Sequence, residues 1–157
     1  MYLLVTSNEL LEMPYSRILI SVDNHENSLT VARKGMDLAR KLEAKAALLF
    51  VVDTSKAVGN VELGITPQEA LILLKKEAQQ TMDQLSEMYD GKDVVKFMPE
   101  GHPAEDIIKT AVNWEADLII VGTHGKKGIA KLLSSHVSDY VLHHAKVPVM
   151  LIPPKEV

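Results

Sequence analysis

The sequence predicts a single α/β domain in which helices cover both faces of an open parallel β-sheet. Short, continuously apolar segments recur along the chain, as strands buried on both faces require. Longer stretches with apolar residues at helical spacing lie between them. The order is βαβαβαβαβ, which indicates right-handed crossover connections. With 157 residues, of which 46% are hydrophobic, the chain has the size of one domain with a substantial core.

Five strands are predicted, and they share apolar centres and polar or turn-forming ends. They span residues 18–22, 46–52, 94–98, 118–121 and 147–152. The first ends at Asp23 and the second at Asp53, while the mixed composition of the third is typical of an edge strand. Pro148 also places the fifth strand at an edge, because proline cannot donate a backbone hydrogen bond. An apolar edge needs a cover, so we expect a homodimer that pairs through the fifth strand, from Val147 to Ile152.

Four amphipathic helices are predicted between these strands. Asn27 or Ser28 can cap the first helix, and a capping box with proline at the first helical position opens the second at Thr66. The second helix is expected to end at Gly91. The inward residues of the first helix are expected to be Leu29, Ala32, Met36, Ala39 and Leu42. Those of the second are Leu71, Leu74, Ala78, Met82 and Leu85, followed by Met88 or Tyr89. Those of the third are Ile107, Ile108, Ala111 and Val112.

Composition excludes several classes of function. The chain has 17 basic and 21 acidic residues, a net charge of −4, and no basic strip interleaved with aromatic residues, so a nucleic-acid interface is not indicated. It contains no cysteine, which excludes disulfides and thiol catalysis. The apolar runs are too short to span a bilayer, and the N-terminus lacks the pattern of a secretory signal. We therefore expect a cytoplasmic protein.

Residues 1–15 fit the domain poorly, because the first strong strand begins only after them. We interpret them as an N-terminal extension ahead of a domain that occupies residues 16–157. An alternative is that native translation starts at Met13. The segment from 54 to 65, which contains Gly59 and Gly64, is the least defined part of the domain by sequence.

A glycine-rich turn follows the fourth predicted strand. Glycines stand at 122, 125 and 128, two lysines follow Gly125, and a helical pattern resumes with Ile129 and continues through Val137. Strand, glycine turn and helix together can cradle an anion, because backbone N–H groups approach the ligand and the helix dipole favours negative charge. In parallel sheets, ligands bind where strand winding reverses. Asp23 and Gly122 are expected to flank that point.

Other chemistries find little support in the motifs. The first turn reads DNHENS rather than a dinucleotide-binding GxGxxG, and neither a phosphate loop of the GxxxxGK[ST] kind nor a GxSxG elbow occurs. His143 and His144 are adjacent on a helix, so they point about 100° apart and cannot chelate one metal together. Asp23 and Asp53 are a conceivable acid–base pair, but aspartates at strand ends more often cap loops.

Several segments together resemble the universal stress protein family, over residues 16–153. They are ILISVD, LLFVVD, GHPAEDII and GTHG followed by VSDYVLHHAKVPVMLIP. The resemblance implies an adenine nucleotide alpha hydrolase-like fold with strand order 3-2-1-4-5. It also implies dimers joined through the fifth strand, a cytoplasmic role in stress survival, and no defined catalytic reaction.

One branch of that family binds ATP through a motif that this chain matches in part. Gly122 and Gly125 match its first two glycines, and Val137 also fits. Ser135 stands where the motif has glycine, and His136 where it has serine or threonine. By the same resemblance, Asp23 and Val51 take the adenine side and residues 135–137 the phosphate end. If His136 contacts phosphate, nucleotide affinity is expected to rise below the pKa of a histidine, about 6.5.

Three functions therefore remain open from the sequence. The first is a regulatory module that binds an adenine nucleotide, ATP or AMP, alone or with Mg²⁺. The second is a dimer of the UspA type that binds no nucleotide and acts through protein–protein contacts, as Ser135 and His136 favour. The third is an enzyme such as a slow ATP hydrolase, for which the sequence offers no positioned base or nucleophile.

Overall fold

A computed structural model of the chain describes residues 15–89, 94–123 and 136–154, with the backbone alone for His136. Its strands and helices follow one another in alternation. In chain order they are β1 (Arg17–Val22), α1 (Ser28–Lys41), β2 (Lys45–Phe50), β3 (Val52–Asp53), α2 (Pro67–Glu87), β4 (Val94–Phe97), β5 (Glu100–Gly101), α3 (Pro103–Asn113), β6 (Leu118–Gly122), α4 (His136–His144) and β7 (Val149–Ile152).

The main sheet has five parallel strands in the order β4-β2-β1-β6-β7. Counted among the main-sheet strands alone, this is the order 3-2-1-4-5, so the predicted α/β fold is confirmed. β4 and β7 lie at the two edges, as their composition and Pro148 predicted. Among the described helices, none combines the length and the apolar composition that crossing a membrane requires.

The side chains of the central strands alternate between two cores, because successive residues of a strand point to opposite faces. Ile18 and Ile20 of β1 pack with α1 and α2 on one face. Leu19 packs with α3 and α4 on the other face, together with Ile119 of β6. All four of these side chains are at most 1% exposed. Burial on both faces explains why the strands are apolar throughout.

The second predicted strand is shorter than expected. Residues 46–52 were expected to form one strand, but β2 ends at Phe50 and Val51 interrupts it. The chain then leaves the main sheet, and β3 pairs with β5 in a separate two-stranded sheet. The backbone N–H of Val52 donates to the carbonyl of Pro99 at 2.8 Å, which fixes this departure.

The predicted inward faces of two helices contain errors. Leu29 in α1 is 44% exposed and Val112 in α3 is 61% exposed, although both were expected to face the core. Val31 fills the core position in α1 instead. Asn27 occupies the N-cap position of α1, but its side chain does not cap the helix. Within α2, the helix ends at Glu87, and Gly91 lies outside the described residues.

The segment from 54 to 65 has more regular structure than its sequence predicts. It begins with a turn of 3-10 helix at Thr54–Lys56. Asn60 and Ile65 then exchange two backbone hydrogen bonds of 2.8 Å, and the Asn60 side chain accepts a third from the N–H of Leu63. Gly64 has φ +66°, a conformation that glycine adopts without strain. The segment is therefore a compact hairpin-like turn that rests beside the start of α2.

Candidate functional site

The carboxyl ends of the three central strands meet at one edge of the sheet. Val22 of β1 lies beside Phe50 of β2, and Ser21 lies beside Val121 of β6. The chain winds outward in opposite directions from β1, to β2 on one side and β6 on the other, so this is the topological switch point of the sheet. Ligand sites of open α/β sheets occur at such a place.

A cavity of about 170 Å³ opens at this switch point. Its inner wall is apolar and its rim is polar. The apolar residues are Val22, Phe50, Val51, Val52, Leu74, Pro103, Ile107, Val121 and Val137; the polar side chains are Ser21, Asp23, Asn24, His25, Asp53 and Lys56. An apolar slot with a few convergent polar groups is the usual form of a small-molecule site.

The structure brings four of the seven predicted site residues together around this cavity. They are Asp23, Val51, Gly122 and Val137, and they come from four different parts of the chain. Gly125 and Ser135 lie outside the described residues. His136 begins α4, and its side chain is not described.

Asp23 is held in place by its own loop. Its Oδ1 accepts hydrogen bonds from the backbone N–H of His25 at 2.9 Å and from the hydroxyl of Ser28 at 2.8 Å. Its backbone N–H donates in turn to the Ser28 hydroxyl at 2.8 Å. Asn24 ties the same loop to α2, because its Nδ2 donates to Glu77 at 3.1 Å. The carboxylate therefore sits on a loop fixed both internally and from outside.

Gly122 is required for packing at the end of β6. A Cβ at this position would lie 2.8 Å from Cγ2 of Val31 and 3.3 Å from Nδ2 of Asn27. The same corner is held by the carbonyl of Ile152, which accepts from the N–H of Thr123 at 2.9 Å and from Asn27 Nδ2 at 3.1 Å. The absence of a side chain lets β6 approach the start of α1 directly.

Sequence reasoning missed several residues of the cavity rim. Lys56 is the most informative, because it is the one lysine among the described residues that line the cavity. It follows Asp53, whose Oδ1 accepts from the N–H and the hydroxyl of Ser55 and so caps the 3-10 turn. The signal was available: residues directly after a central strand of a parallel sheet lie at the ligand edge.

The geometry offers no metal centre in the part of the chain that the structure describes. No group of three histidine or carboxylate side chains there is arranged to hold an ion. His143 and His144 each bond back to a carbonyl one turn earlier, those of Asp139 and Tyr140, at 2.8 Å. Each of these two imidazoles thus contacts its own helix.

Comparison with known proteins gives consistent results. Residues 14–153 match the model of the universal stress protein family. The universal stress protein MJ0531 of Methanocaldococcus jannaschii is 34% identical over 148 residues, which cover 90% of this chain and 85% of that protein. The structure of the universal stress protein UspA from Lactobacillus plantarum superposes with a TM-score of 0.74 at 25% identity, covering 88% of this chain and 97% of that one.

A further solved structure has the same fold with a nucleotide bound. It is a universal stress protein in complex with cAMP, which matches with a TM-score of 0.63 at 19% identity and covers 89% of this chain and 98% of that one. This likeness concerns the fold alone. The family match over nearly the whole chain, the identity to MJ0531 and the strand order together show that this chain belongs to the universal stress protein family.

Proposed function

We propose that this chain is a cytoplasmic stress-response regulatory module that binds an adenine nucleotide, ATP or AMP, at the switch point of its sheet. The observation that carries the proposal is the convergence of Asp23, Val51, Gly122 and Val137 on one cavity. An apolar slot accepts a flat purine ring, and polar groups at its mouth can bond a sugar hydroxyl. The regulatory domain is taken as residues 16–157, with residues 1–15 as an extension.

The cavity suits one part of a nucleotide. Its volume of about 170 Å³ is below the ~300 Å³ at which typical ligand pockets begin. The described residues therefore enclose a nucleoside better than a whole nucleotide. The phosphates are assigned to Gly125, Ser135 and His136 by the motif alone. That a universal stress protein of this fold was solved with cAMP supports an adenine ligand for the fold as such.

Binding rather than catalysis is the proposed activity. Asp23 and Asp53, the carboxylates at the rim, both accept hydrogen bonds from neighbouring loop residues. Those bonds match the loop-capping interpretation of both residues. A regulatory module needs its ligand to favour one shape or partner, and that requires differential affinity and no chemical step.

The first test is the small molecule that the purified protein carries. Protein denatured directly after purification is analysed by mass spectrometry for ATP, ADP and AMP, and the emptied protein is titrated calorimetrically with ATP and AMP, with and without Mg²⁺. Near one nucleotide per chain, or saturable binding, supports the proposal. An empty protein that gives no binding heat with either nucleotide contradicts it and favours the nucleotide-free dimer.

A cavity-filling substitution tests the location. Val137→Trp places a large side chain in the cavity, so it is expected to weaken nucleotide binding at least about 10-fold, a loss of roughly 1.4 kcal/mol. Val112→Trp is the matched control, because Val112 is 61% exposed on α3 and does not line the cavity. Circular dichroism checks that both variants fold. Equal affinities of the two variants would place the nucleotide elsewhere.

The alternative function, a UspA-type dimer that binds no nucleotide, keeps one specific observation in its favour. Ser135 and His136 depart from the ATP motif at the phosphate end. Both functions include a homodimer through the fifth strand. β7 pairs only with β6 among the described strands, and Met150 on it is 38% exposed.

A further inference from the structure

Helix α2 carries apolar side chains on its outer face as well as on its inner face. The inner face packs into the core through Ala78, Met82 and Leu85. On the outer face, Ile72 is 64% exposed and Leu73 is 54% exposed. A helix that packs on one side only is expected to be polar on the other side. The two exposed apolar residues therefore indicate a second contact of this helix.

The turn before α2 adds more exposed apolar side chains near the start of the helix. Val58 and Leu63 are each 71% exposed, and Val61 is 97% exposed. The turn lies against the first helical residue, since a Cβ on Gly59 would come within 2.9 Å of Cδ of Pro67. Single exposed apolar residues are common, but several in one short stretch indicate an interaction surface. This surface, the α2 patch, comprises Val58, Val61, Leu63, Ile72 and Leu73.

Two exposed charged residues flank the helical part of the α2 patch. Glu69 lies three residues before Ile72, and Lys76 lies three residues after Leu73. The four residues have the spacing i, i+3, i+4 and i+7, which places them along one line of the helix surface. Along this line, α2 is acidic, then apolar at two positions, then basic.

This pattern is complementary to itself when two copies pack antiparallel. A twofold axis between Ile72 and Leu73 places Glu69 of one copy level with Lys76 of the other, because both lie about 5 Å from the axis along the helix. The axis generates the same ion pair a second time. The apolar side chains then meet between the two ion pairs and leave water. A parallel pair of helices would instead place each charge against its own copy.

The capping box is compatible with such a contact. Oε2 of Glu69 accepts both hydrogen bonds from Thr66, at 2.8 Å from the backbone N–H and 2.9 Å from the hydroxyl. The carboxylate is thus held in place through one oxygen. Oε1 is the oxygen that would accept from Lys76 of a second copy.

We propose that the α2 patch is an interface between two copies of this chain, in which antiparallel α2 helices contact each other through Ile72 and Leu73 and through reciprocal ion pairs of Glu69 with Lys76. This interface is separate from the expected pairing of β7, because α2 packs beside β2 and β7 lies at the edge beyond β6. A chain with two such twofold interfaces forms a tetramer or an open array. The proposal does not depend on nucleotide binding.

Variants of opposite charge provide the decisive test. Lys76→Glu leaves only acidic charges at the contact, and Glu69→Lys leaves only basic ones. Each variant alone is expected to self-associate at least about 10-fold more weakly than its parent, because like charges then meet across the interface. An equal mixture of the two is expected to associate again, since an acidic copy meets a basic one at both ends. Both are made in a Met150→Lys parent, which removes the expected pairing of β7, and sedimentation velocity over a concentration series measures association.

Controls separate association from folding, and circular dichroism checks every variant. Thr66→Ala breaks the same capping box as Glu69→Lys but keeps the charge of Glu69, so it is expected to associate like the parent. Ile72→Gln shortens the apolar contact and is expected to weaken association at least about 10-fold. Val112→Gln makes a similar change at 61% exposure on α3 and is expected to have no effect.

Three results would overturn the proposal. The first is association of Lys76→Glu and Ile72→Gln that equals that of the parent. The second is a mixture of the charge variants that associates no better than either variant alone. The third is a parent that stays monomeric at every concentration. In that case, association of a parent that starts at Met13 would assign the α2 patch to residues 1–12, and its absence would assign the patch to a different protein. None of these measurements uses nucleotide, so the proposed function stands or fails separately.

Discussion

Asp117 shows how a single side chain joins two strands at the amino-terminal edge of the sheet. Its Oδ2 accepts from the N–H and the hydroxyl of Ser16, both at 2.8 Å, and its Oδ1 accepts from the N–H of Arg17 at 3.0 Å. The start of β1 is thereby tied to the start of β6. Partial burial acts to raise the pKa of Asp117, but the hydrogen bonds from Ser16 and Arg17 outweigh it and hold that pKa below its ordinary value.

Asp117→Asn is expected to lower the free energy of unfolding at pH 7 by about 1–2 kcal/mol, discounted for solvent exposure. One carboxylate oxygen becomes an NH₂ group that faces a donor, so at least one hydrogen bond is lost. Urea denaturation followed by circular dichroism measures the effect. Asp83→Asn is the control, because Asp83 is exposed and its Oδ1 accepts a hydrogen bond from Gln79 within the same helix.

The same substitution has a defined pH dependence. A carboxyl whose pKa is depressed by folding contributes stability that is present above its unfolded value, about 3.9, and is lost as pH falls through the folded value. The difference between wild type and Asp117→Asn is therefore expected to be full at pH 7 and to shrink below about pH 4. A difference that stays constant from pH 7 to pH 2.5 would mean that the carboxylate contributes nothing through its charge.

Single residues also show what sequence can predict about the site. Asp23 and Gly122 were predicted because they follow or end strands at the switch point, and Val51 and Val137 because of the family resemblance. The fold brings all four to one cavity. His25, which also lines the cavity, was not predicted, since its 3.1 Å contact with Asp23 depends on the conformation of the loop. Leu74 reaches the cavity only through the packing of α2 against the sheet.

At the scale of elements, α2 has the most complete start of any described helix. The hydroxyl of Thr66 accepts from the N–H of Glu69 at 3.2 Å, and the Glu69 carboxylate accepts from the N–H of Thr66 at 2.8 Å. Pro67 follows at the first helical position. The predicted capping box is confirmed. The hydrogen bond from the backbone N–H of Thr66 lowers the pKa of Glu69 below its ordinary value. The hydrogen bond from the Thr66 hydroxyl adds a smaller effect in the same direction.

Thr66→Ala is expected to destabilise the protein by about 1 kcal/mol, because the N–H of Glu69 loses its acceptor and the helix loses its reciprocal cap. Chemical denaturation at pH 7 measures the change in the free energy of unfolding. Thr110→Ala within α3 is the control, and it is expected to be neutral or slightly stabilising, since alanine has the higher helix propensity. If Thr66→Ala lowers the free energy of unfolding no more than the control does, the capping box contributes nothing measurable to stability.

Helix faces were predicted less well than helix starts, and the reason is geometric. A cap is a local arrangement of four residues, whereas the buried face depends on how the helix rotates against the sheet. Leu29 lies in the first turn of α1 and remains 44% exposed. Gly35 lets α1 approach β1 closely, because a Cβ there would lie 2.7 Å from Cδ1 of Ile20.

For the whole molecule, the sequence predicts the sheet because burial on both faces leaves a strong pattern. The separate sheet of β3 and β5 leaves no recognisable pattern in the sequence, since each of its strands contributes only two residues. That sheet nevertheless shapes the site: it draws Val52 and Asp53 away from β2 and leaves Val51 at the break, on the wall of the cavity. The pairing of β3 with β5 is too short to be predicted from the sequence, yet it helps to determine where the candidate ligand site opens.

The two edges of the main sheet differ in their suitability for pairing with a second copy. β4 carries an exposed lysine, Lys96, and a charge on an edge strand discourages association. β7 has the sequence VMLI and no charged residue. Met150 on β7 and Val95 on β4 are both 38% exposed. The uncharged edge is the one that a symmetric dimer is expected to use.

A matched pair of substitutions distinguishes the two edges. Met150→Lys places a charge on β7 and is expected to raise the dimer dissociation constant at least about 10-fold, because an unpaired charge would have to be buried in the interface. Val95→Lys makes the same change at the same exposure on β4 and is expected to leave the dimer intact. Analytical ultracentrifugation over a range of concentrations measures both. Dissociation by Val95→Lys alone would assign the interface to β4, and a wild type that stays monomeric at every concentration would contradict the dimer itself.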